Sequence, residues 1–377
     1  MTDTVRYGII GAGAVADYHH VPGIRIDPGA SLTWVCDPSE ELIAKRRADW
    51  GDFDFKATAD HAELCAAEDV DAVIIATPNF VHKEQALSCA ANGKHVMAEK
   101  PLGVTFEEAL EMTKAVEAAG VKNMTAFTYR FAPSMRYLRH LLTSGQLGVP
   151  RHFRSQRFLD WPETSWGWRQ YKRTAGAGDL FDMTIHRIDF AMDLMGDLES
   201  IQGSVAQFCP RTQTAEGQSC EPSEVDDWSA ILGLFERQED YPPATGVWEG
   251  STVMKGYHYD GFGHEWAEVN GTEGSAVYKL TEPNTILVGR SGQTMAVEEV
   301  PREFLSPAGS PRDPADGVPS TVFRYDLVYE LTSAILENRP AVPSFRDGTK
   351  AQAVADAALV SSESGVRQRM ADWFRRI

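Results

Sequence analysis

Apolar positions in the first 130 residues fall into short runs separated by longer stretches with helical spacing. VRYGII (5–10), LTWVCD (32–37), DAVIIATP (71–78), KHVMAE (94–99) and NMTAFTY (123–129) are rich in β-formers and bounded by turn residues, which predicts strands. Between them, FVHKEQALSCAANG (80–93) and TFEEALEMTKAVEAAG (105–120) predict helices. The second opens on a capping box, Thr105 with Glu108 three positions later. Ala109, Met112, Val116 and Ala119 line one face, and Gly120 closes it. Strand–helix alternation of this kind implies a doubly wound α/β domain, a parallel sheet covered on both faces.

The pattern changes near residue 150. HFRSQRFLDW (152–161), ESIQGSVAQF (199–208), DDWSAILGLF (226–235), TGVWEGSTVM (245–254), GSAVYKL (274–280) and NTILVG (284–289) read as strands with imperfect alternation. One clear helix interrupts them, at Asp179–Met195. A second domain of α/β class with an open, largely antiparallel sheet is expected. SPAGSPRDPADGVPS (306–320) is dense in Pro and Gly and reads as an irregular loop. FRYDLVYELTSAILENRP, with Phe323, Leu327, Leu331 and Ile335 in helical register, and the small-residue-rich DGTKAQAVADAALVSSESG (347–365) supply two closing helices. The expected domains are 1–128 and 129–377, with the closing helices free to pack back on the first.

Composition narrows the function. A chain of 377 residues exceeds one ordinary core. Its 43% hydrophobic and 24% charged residues describe a soluble globular protein. The net charge of −18 would repel nucleic acid and anionic membrane, so neither is an expected partner. Cys36, Cys65, Cys89, Cys209 and Cys220 are odd in number and without CxxC spacing, which points away from a disulfide framework or structural zinc and toward a reducing compartment. The start, MTDTVRYGIIGAG, lacks a signal-peptide pattern, and no apolar run nears the ~20 residues that span a bilayer. A cytoplasmic location is expected.

Three motifs carry candidate chemistry. GIIGAGAVADYHH contains GxGxxA at Gly11, Gly13 and Ala16, following the first strand and leading into a helix. Such glycines permit a tight turn and let backbone N–H groups approach a pyrophosphate at a helix N-terminus. The second strand ends in Asp37, 24 positions after Gly13, near the distance expected for a carboxylate that binds the adenosine ribose. Asp37 favours NAD over NADP because it would repel a 2′-phosphate. Lys45, Arg46 and Arg47 argue the other way, but lie a turn or more into the next helix. HVMAEKPLG puts Glu99, Lys100 and Pro101 at the carboxyl edge of another strand, where ligands lie in open parallel sheets. GAGDLFDMTIHRIDF (176–190) sets Asp182 and His186 four apart on one helical face, their Cβ atoms roughly 5–6 Å apart. Asp189, on the same face, would orient the imidazole from behind. A polar stripe with a salt bridge through Arg187 is the plainer alternative.

The ordered set GAGAVA, CD, Thr77-Pro78-Asn79, AEKP and GAGDLFDMTIHRID resembles the Gfo/Idh/MocA family of nicotinamide-dependent oxidoreductases, over nearly the whole chain. VNGTEGSAVYKL and the closing PSFRDGTKAQAVADAALVSSESG look like that family's later sheet and last helix. The resemblance implies a Rossmann domain, a second domain whose open sheet makes oligomer contacts, and Lys100, Asp182 and His186 as the catalytic trio, with Asp189 as the carboxylate after the histidine. The family's lead-in is usually GGG, whereas this chain has Gly176-Ala177-Gly178. The implied cofactor is NAD, held by Gly11, Gly13, Ala14, Val15, Asp37, Thr77, Pro78, Asn79, His82, Glu99 and Lys100. Substrate would meet Lys100, Tyr129, Arg130, Trp166, Arg169, Asp182 and His186.

The reading that follows is hydride transfer from a secondary alcohol of a sugar, glycoside, anhydrosugar or cyclitol. Lys100 and His186 serve as acid–base groups, with the identity of the base left open. Trp161, Trp166 and Trp168 offer flat apolar faces to a ring, and Arg169, Gln170 and Lys172 offer donors, if they are not simply packing. His258, Asp260, His264 and Glu265 are close in sequence, but their spacing is too loose for a metal, and none is expected. The competing functions are an enzyme that retains its NAD (an epimerase or eliminating glycosidase) and a dinucleotide-binding sugar sensor. A homodimer or homotetramer is expected.

Overall fold

The computed structural model describes residues 4–238, 241–258 and 263–377. The chain divides into two units, residues 1–128 with 306–349, and residues 129–305 with 350–377. Segment 306–349, expected within the second domain, thus groups with the first.

The first unit holds six parallel strands: β1 (Val5–Ile10), β2 (Ala30–Cys36), β3 (Lys56–Thr58), β4 (Ala72–Ile75), β5 (His95–Ala98) and β6 (Asn123–Thr125). Their order is β3-β2-β1-β4-β5-β6. Strands buried on both faces need continuous apolar runs rather than alternation. Accordingly Ile9, Val73, Ile74, Ile75, Val96 and Met97 are all buried. The order reverses between β1 and β4, which opens a crevice at their carboxyl ends. Gly11, Thr77 and Glu99-Lys100 follow β1, β4 and β5 at that edge. The helix Phe106–Ala118 is capped by Thr105, whose hydroxyl accepts from Glu108 N. The helix Asp326–Leu336 joins this unit through a buried Tyr7–Thr332 hydroxyl contact of 2.9 Å.

The second unit contains a nine-stranded sheet built from β7 (Pro150–Phe158), β8 (Leu198–Ala206), β9 (Trp228–Phe235), β10 (Thr245–Ser251), β11 (His264–Gly271), β12 (Gly274–Lys279), β13 (Thr285–Arg290), β14 (Ala296–Glu299) and β15 (Gln368–Arg369). Their order is β14-β13-β12-β11-β7-β10-β9-β8-β15. All neighbours are antiparallel except β7 and β10, a parallel pair near the centre. β11 escaped the sequence reading because Glu265 occupies an inward position and Trp266 an outward one, which inverts the apolar alternation. One sheet face packs against the helix Ile185–Met195, where Trp248 Nε1 donates to Arg187 O at 3.0 Å. On the other face Leu232 is 53% and Val297 62% exposed.

Candidate active site

In the first unit, the turn after β1 is shaped by two glycines with different tasks. Gly11 has φ +95°, and a Cβ there would meet Ala76 O at 2.6 Å, so this position requires glycine. Gly13 faces open space: a Cβ on it would touch nothing within 4 Å. That cradle fits a pyrophosphate reaching backbone N–H groups. The following helix begins with a π-turn, Ala16–His20. Asp37 is held by two backbone donors, Ala12 N and Ser39 N, each at 2.9 Å. A carboxylate retains lone pairs after accepting two bonds, so Asp37 can still take the ribose hydroxyls.

At the ends of β4 and β5, Thr77 Oγ1 donates to Gln85 at 2.6 Å, and Pro78 and Asn79 open the helix Asn79–Ala91. His82, expected on the cofactor, is 0% exposed, with ring nitrogens 2.8 Å from Thr77 O and 3.0 Å from Pro101 O. It braces the two strand ends, and burial lowers its pKa. Glu99 accepts from His20 Nε2 at 2.8 Å. Burial pushes the Glu99 carboxyl up, but His20, Lys100 and His82 outweigh it and hold it below the usual range. Lys100 follows directly, and its peptide to Pro101 is cis.

In the second unit, Asp182 lies in a π-turn, Leu180–Thr184, in which Ile185 N donates to Leu180 O five residues back. His186 is in the first turn of the α-helix that follows. The expected helix Asp179–Met195 therefore opens with a π-turn that holds Asp182 and becomes a regular α-helix just before His186. Such inserted turns recur at functional sites because they re-aim side chains. The start of this helix is capped from a distance: Asp226 accepts from Gly178 N at 2.8 Å and Leu180 N at 2.9 Å. A Cβ on Gly178 would collide with Asp226 O, and Gly176 has φ +83°, so these two glycines are required. Ala177, the departure from GGG, sits between them where no such demand exists.

Beneath the helix runs a buried ionic network. Arg157 Nη1 donates to Tyr129 Oη and to Glu265 Oε2, both at 2.7 Å. Tyr278 Oη donates to Glu265 Oε1 at 3.2 Å, and Arg187 Nη1 lies 3.9 Å from Glu265 Oε2. Arg187 Nη2 donates to Thr184 Oγ1 at 2.5 Å, while Thr184 and Ser229 donate to Asp179 at 2.9 and 2.7 Å. The Tyr129 ring meets the His186 ring edge-on at 4.6 Å. Tyr129 and Arg130, expected at the substrate, therefore support the helix: Tyr129 is buried, and Arg130 binds Asp189 at 2.8 and 2.5 Å and Asp193 at 3.1 Å. Asp189, expected behind the imidazole, accepts from Arg130 through both carboxylate oxygens. Burial and Asp179 raise Asp226 to about 7, and burial also raises Asp179.

The aromatic segment ahead of the helix is also more engaged than expected. Trp161 meets Trp166 edge-on at 5.3 Å, and the Arg211 guanidinium lies 3.6 Å from the Trp166 ring centroid. Arg169 stacks on Trp168 at 4.4 Å. Arg211 is fixed by Asp227 at 3.2 Å and was not foreseen, since nothing in its surroundings distinguishes it in sequence. Of the four residues considered for a metal, Glu265 serves the two arginines and Asp260 lies outside the described residues. Among the described residues, no His/Cys/Asp/Glu group is arranged for a metal. No helix of the described residues is long and apolar enough to cross a membrane.

The profile described as "Oxidoreductase family, NAD-binding Rossmann fold" matches residues 5–127, and that of the "GFO/IDH/MocA C-terminal domain" matches residues 135–277. Levoglucosan dehydrogenase of Pseudarthrobacter phenanthrenivorans is 28% identical over 95% of this chain and 96% of its own. The 1,5-anhydro-D-fructose reductase of Ensifer adhaerens is 30% identical over 72% of this chain and 75% of its own. A solved levoglucosan dehydrogenase in complex with NADH and levoglucosan superposes with a TM-score of 0.88 at 25% identity, covering 98% of this chain and 100% of the other.

Proposed function

The chain belongs to the Gfo/Idh/MocA family and is an NAD-dependent sugar oxidoreductase, and from that premise we propose that it oxidises a ring-shaped polyol, an anhydrosugar or glucose-like glycoside ahead of a free cyclitol, using Lys100, Asp182 and His186. The observation that carries the assignment of roles is the π-turn: it puts Asp182 and His186 on a helix start held by Asp226 from one side and the Arg157–Glu265–Arg187 network from another. Chemical groups need such restraint, because loss of alignment is costly in rate.

Oxidation of a secondary alcohol must remove a hydride and a proton. Bound NAD⁺ supplies the hydride acceptor, with Gly11, Gly13, Ala14, Val15, Asp37 and Thr77–Asn79 as the residues that would hold it. Histidine is the side chain suited to proton transfer near neutral pH, and His186 takes the hydroxyl proton. Lys100 donates to the same oxygen and stabilises developing alkoxide charge. Asp182 accepts from a neighbouring hydroxyl. Trp166, its ring backed by Arg211, presents an apolar surface to axial C–H groups, and Arg169 donates to ring hydroxyls. The enzyme acts in the cytoplasm, a placement supported by five free thiols, and assembles as a dimer or tetramer through the exposed sheet face bearing Leu232 and Val297.

The test is to supply NAD⁺ with levoglucosan, other anhydrosugars, glycosides and inositols, and to follow NADH. Conversion of a sugar without NADH accumulation would instead indicate a retained cofactor.

A further inference from the structure

Lys45, Arg46 and Arg47 stand near the adenosine-recognising Asp37 and look like a site for a 2′-phosphate. The middle residue is directed elsewhere. Arg46 is only 5% exposed, its Nε donating to Ala12 O at 2.9 Å and its Nη2 to Gly13 O at 3.3 Å. Nη1 meets Asp17 at 2.7 Å and Asp49 at 3.0 Å, and the guanidinium lies 5.2 Å from the Trp50 ring centroid. Trp50 Nε1 in turn donates to Asp17 Oδ1 at 2.8 Å, so the guanidinium sits in a closed frame. Arg47 is also engaged, with Phe55 O at 3.0 Å and the Phe55 ring at 4.8 Å.

We propose that Arg46 is a positioning residue for the dinucleotide, pinning the carbonyls of the glycine turn so that the turn's N–H groups face the pyrophosphate, and that it plays no part in reading a 2′-phosphate. The geometry follows from the planarity of the trans peptide, whose C=O and N–H point in opposite directions. Ala12 O shares a peptide with Gly13 N–H, and Gly13 O shares one with Ala14 N–H. Holding both carbonyls on the Arg46 side turns both N–H groups away from it. The Ala12 residue is gripped twice, since its own N–H is bound by Asp37. Asp17 and Asp49 offset the guanidinium charge locally, so the effect is one of orientation rather than long-range attraction.

Arg46→Met keeps the buried stem and removes the donors. Its Kd for NADH, read by fluorescence titration well below the variant's melting temperature, should rise roughly tenfold, as expected for loss of charge-assisted bonds. The kcat at saturating NAD⁺ should stay within about twofold, because the chemical groups are elsewhere. Arg46→Lys, which can hold one carbonyl but not both, should fall between, and it serves as the test variant if Arg46→Met does not fold. Asp49→Asn spares both carbonyl contacts and should leave the Kd unchanged. A lowered melting temperature with a wild-type Kd would show a merely structural role and overturn the proposal. In an Asp37→Ala background, Arg46→Met should weaken NADH and NADPH by the same factor. Selective loss of NADPH would place Arg46 on the 2′-phosphate and overturn it as well.

Discussion

Gly250, in the middle of β10, should be among the least replaceable residues of the second unit, although it touches no reacting group. A Cβ at this position would lie 2.5 Å from Arg187 Nη2 and 2.5 Å from Thr184 Oγ1, and closer still to Asp179 Oδ2. All three atoms belong to the helix start that carries Asp182 and His186, and they hydrogen-bond one another, so none can yield alone. Forcing a methyl into a packed core costs about 1–3 kcal/mol. Each buried polar group that loses its partner costs roughly 1–3 kcal/mol more. With one such group displaced, Gly250→Ala should lose about 2–6 kcal/mol in urea unfolding. Movement of the helix should lower kcat by about 10–100-fold. The control is Gly274→Ala in β12, whose Cβ would approach Gly289 O at 2.7 Å and Leu147 Cδ2 at 3.3 Å, neither of them in the helix that carries Asp182 and His186. It should lose stability while kcat changes less than about twofold, as expected for a site remote from the chemistry. A Gly250→Ala enzyme with wild-type stability and turnover would refute the claim that this network sets the helix.

Lys100→Ala and His186→Ala should each lower kcat by ~10²–10⁴ with little change in NADH affinity; near-normal turnover in either would remove that residue from the mechanism. Asp37→Ala should shift the ratio of catalytic efficiencies toward NADP, and equal use of both cofactors by the wild type would contradict the role of Asp37. Asp226, raised to about 7 chiefly by burial, binds its proton more tightly in the native than in the unfolded chain, so its contribution to stability is full in acid and is lost as pH rises from about 4 to 7. Urea unfolding of Asp226→Asn should show a flatter pH dependence across that window; an unchanged slope would mean that another group titrates there. With the proposed oligomer contact on the open sheet face, Leu232→Asp should lower the mass seen in light scattering toward that of a monomer, and an unaltered oligomer mass would move the contact off that face.

What the sequence makes legible and what it hides have physical reasons. Local chemistry is readable: the GxGxxA turn, the Thr105 cap and the apolar runs of the parallel sheet depend on near neighbours in the chain. The inserted π-turn at Leu180–Thr184 is not readable from apolar spacing, because it is stabilised by Asp226, a residue 46 positions from Leu180. Tyr129 and Arg130 are expected at the substrate only through the family resemblance. Their partners, Arg157, Asp189 and Asp193, come from elements that only the fold assembles. β11 was missed for the same reason: an inward glutamate looks like a surface residue until two buried arginines are placed beside it. Arg46 illustrates the converse. Its charge suggested a phosphate ligand, while its burial against Ala12 and Gly13 gives it a different task.

The proposed reaction is oxidation of a cyclic sugar alcohol by NAD⁺. It is tested most directly by mixing the purified protein with NAD⁺ and a panel of anhydrosugars, glycosides, cyclitols and linear 2-hydroxy acids, and recording NADH absorbance. Substrate-dependent NADH formation is expected with one or more ring-shaped polyols, abolished in His186→Ala and much slower with NADP⁺. Turnover confined to linear hydroxy acids, or NADH formation that persists unchanged in His186→Ala, would contradict it.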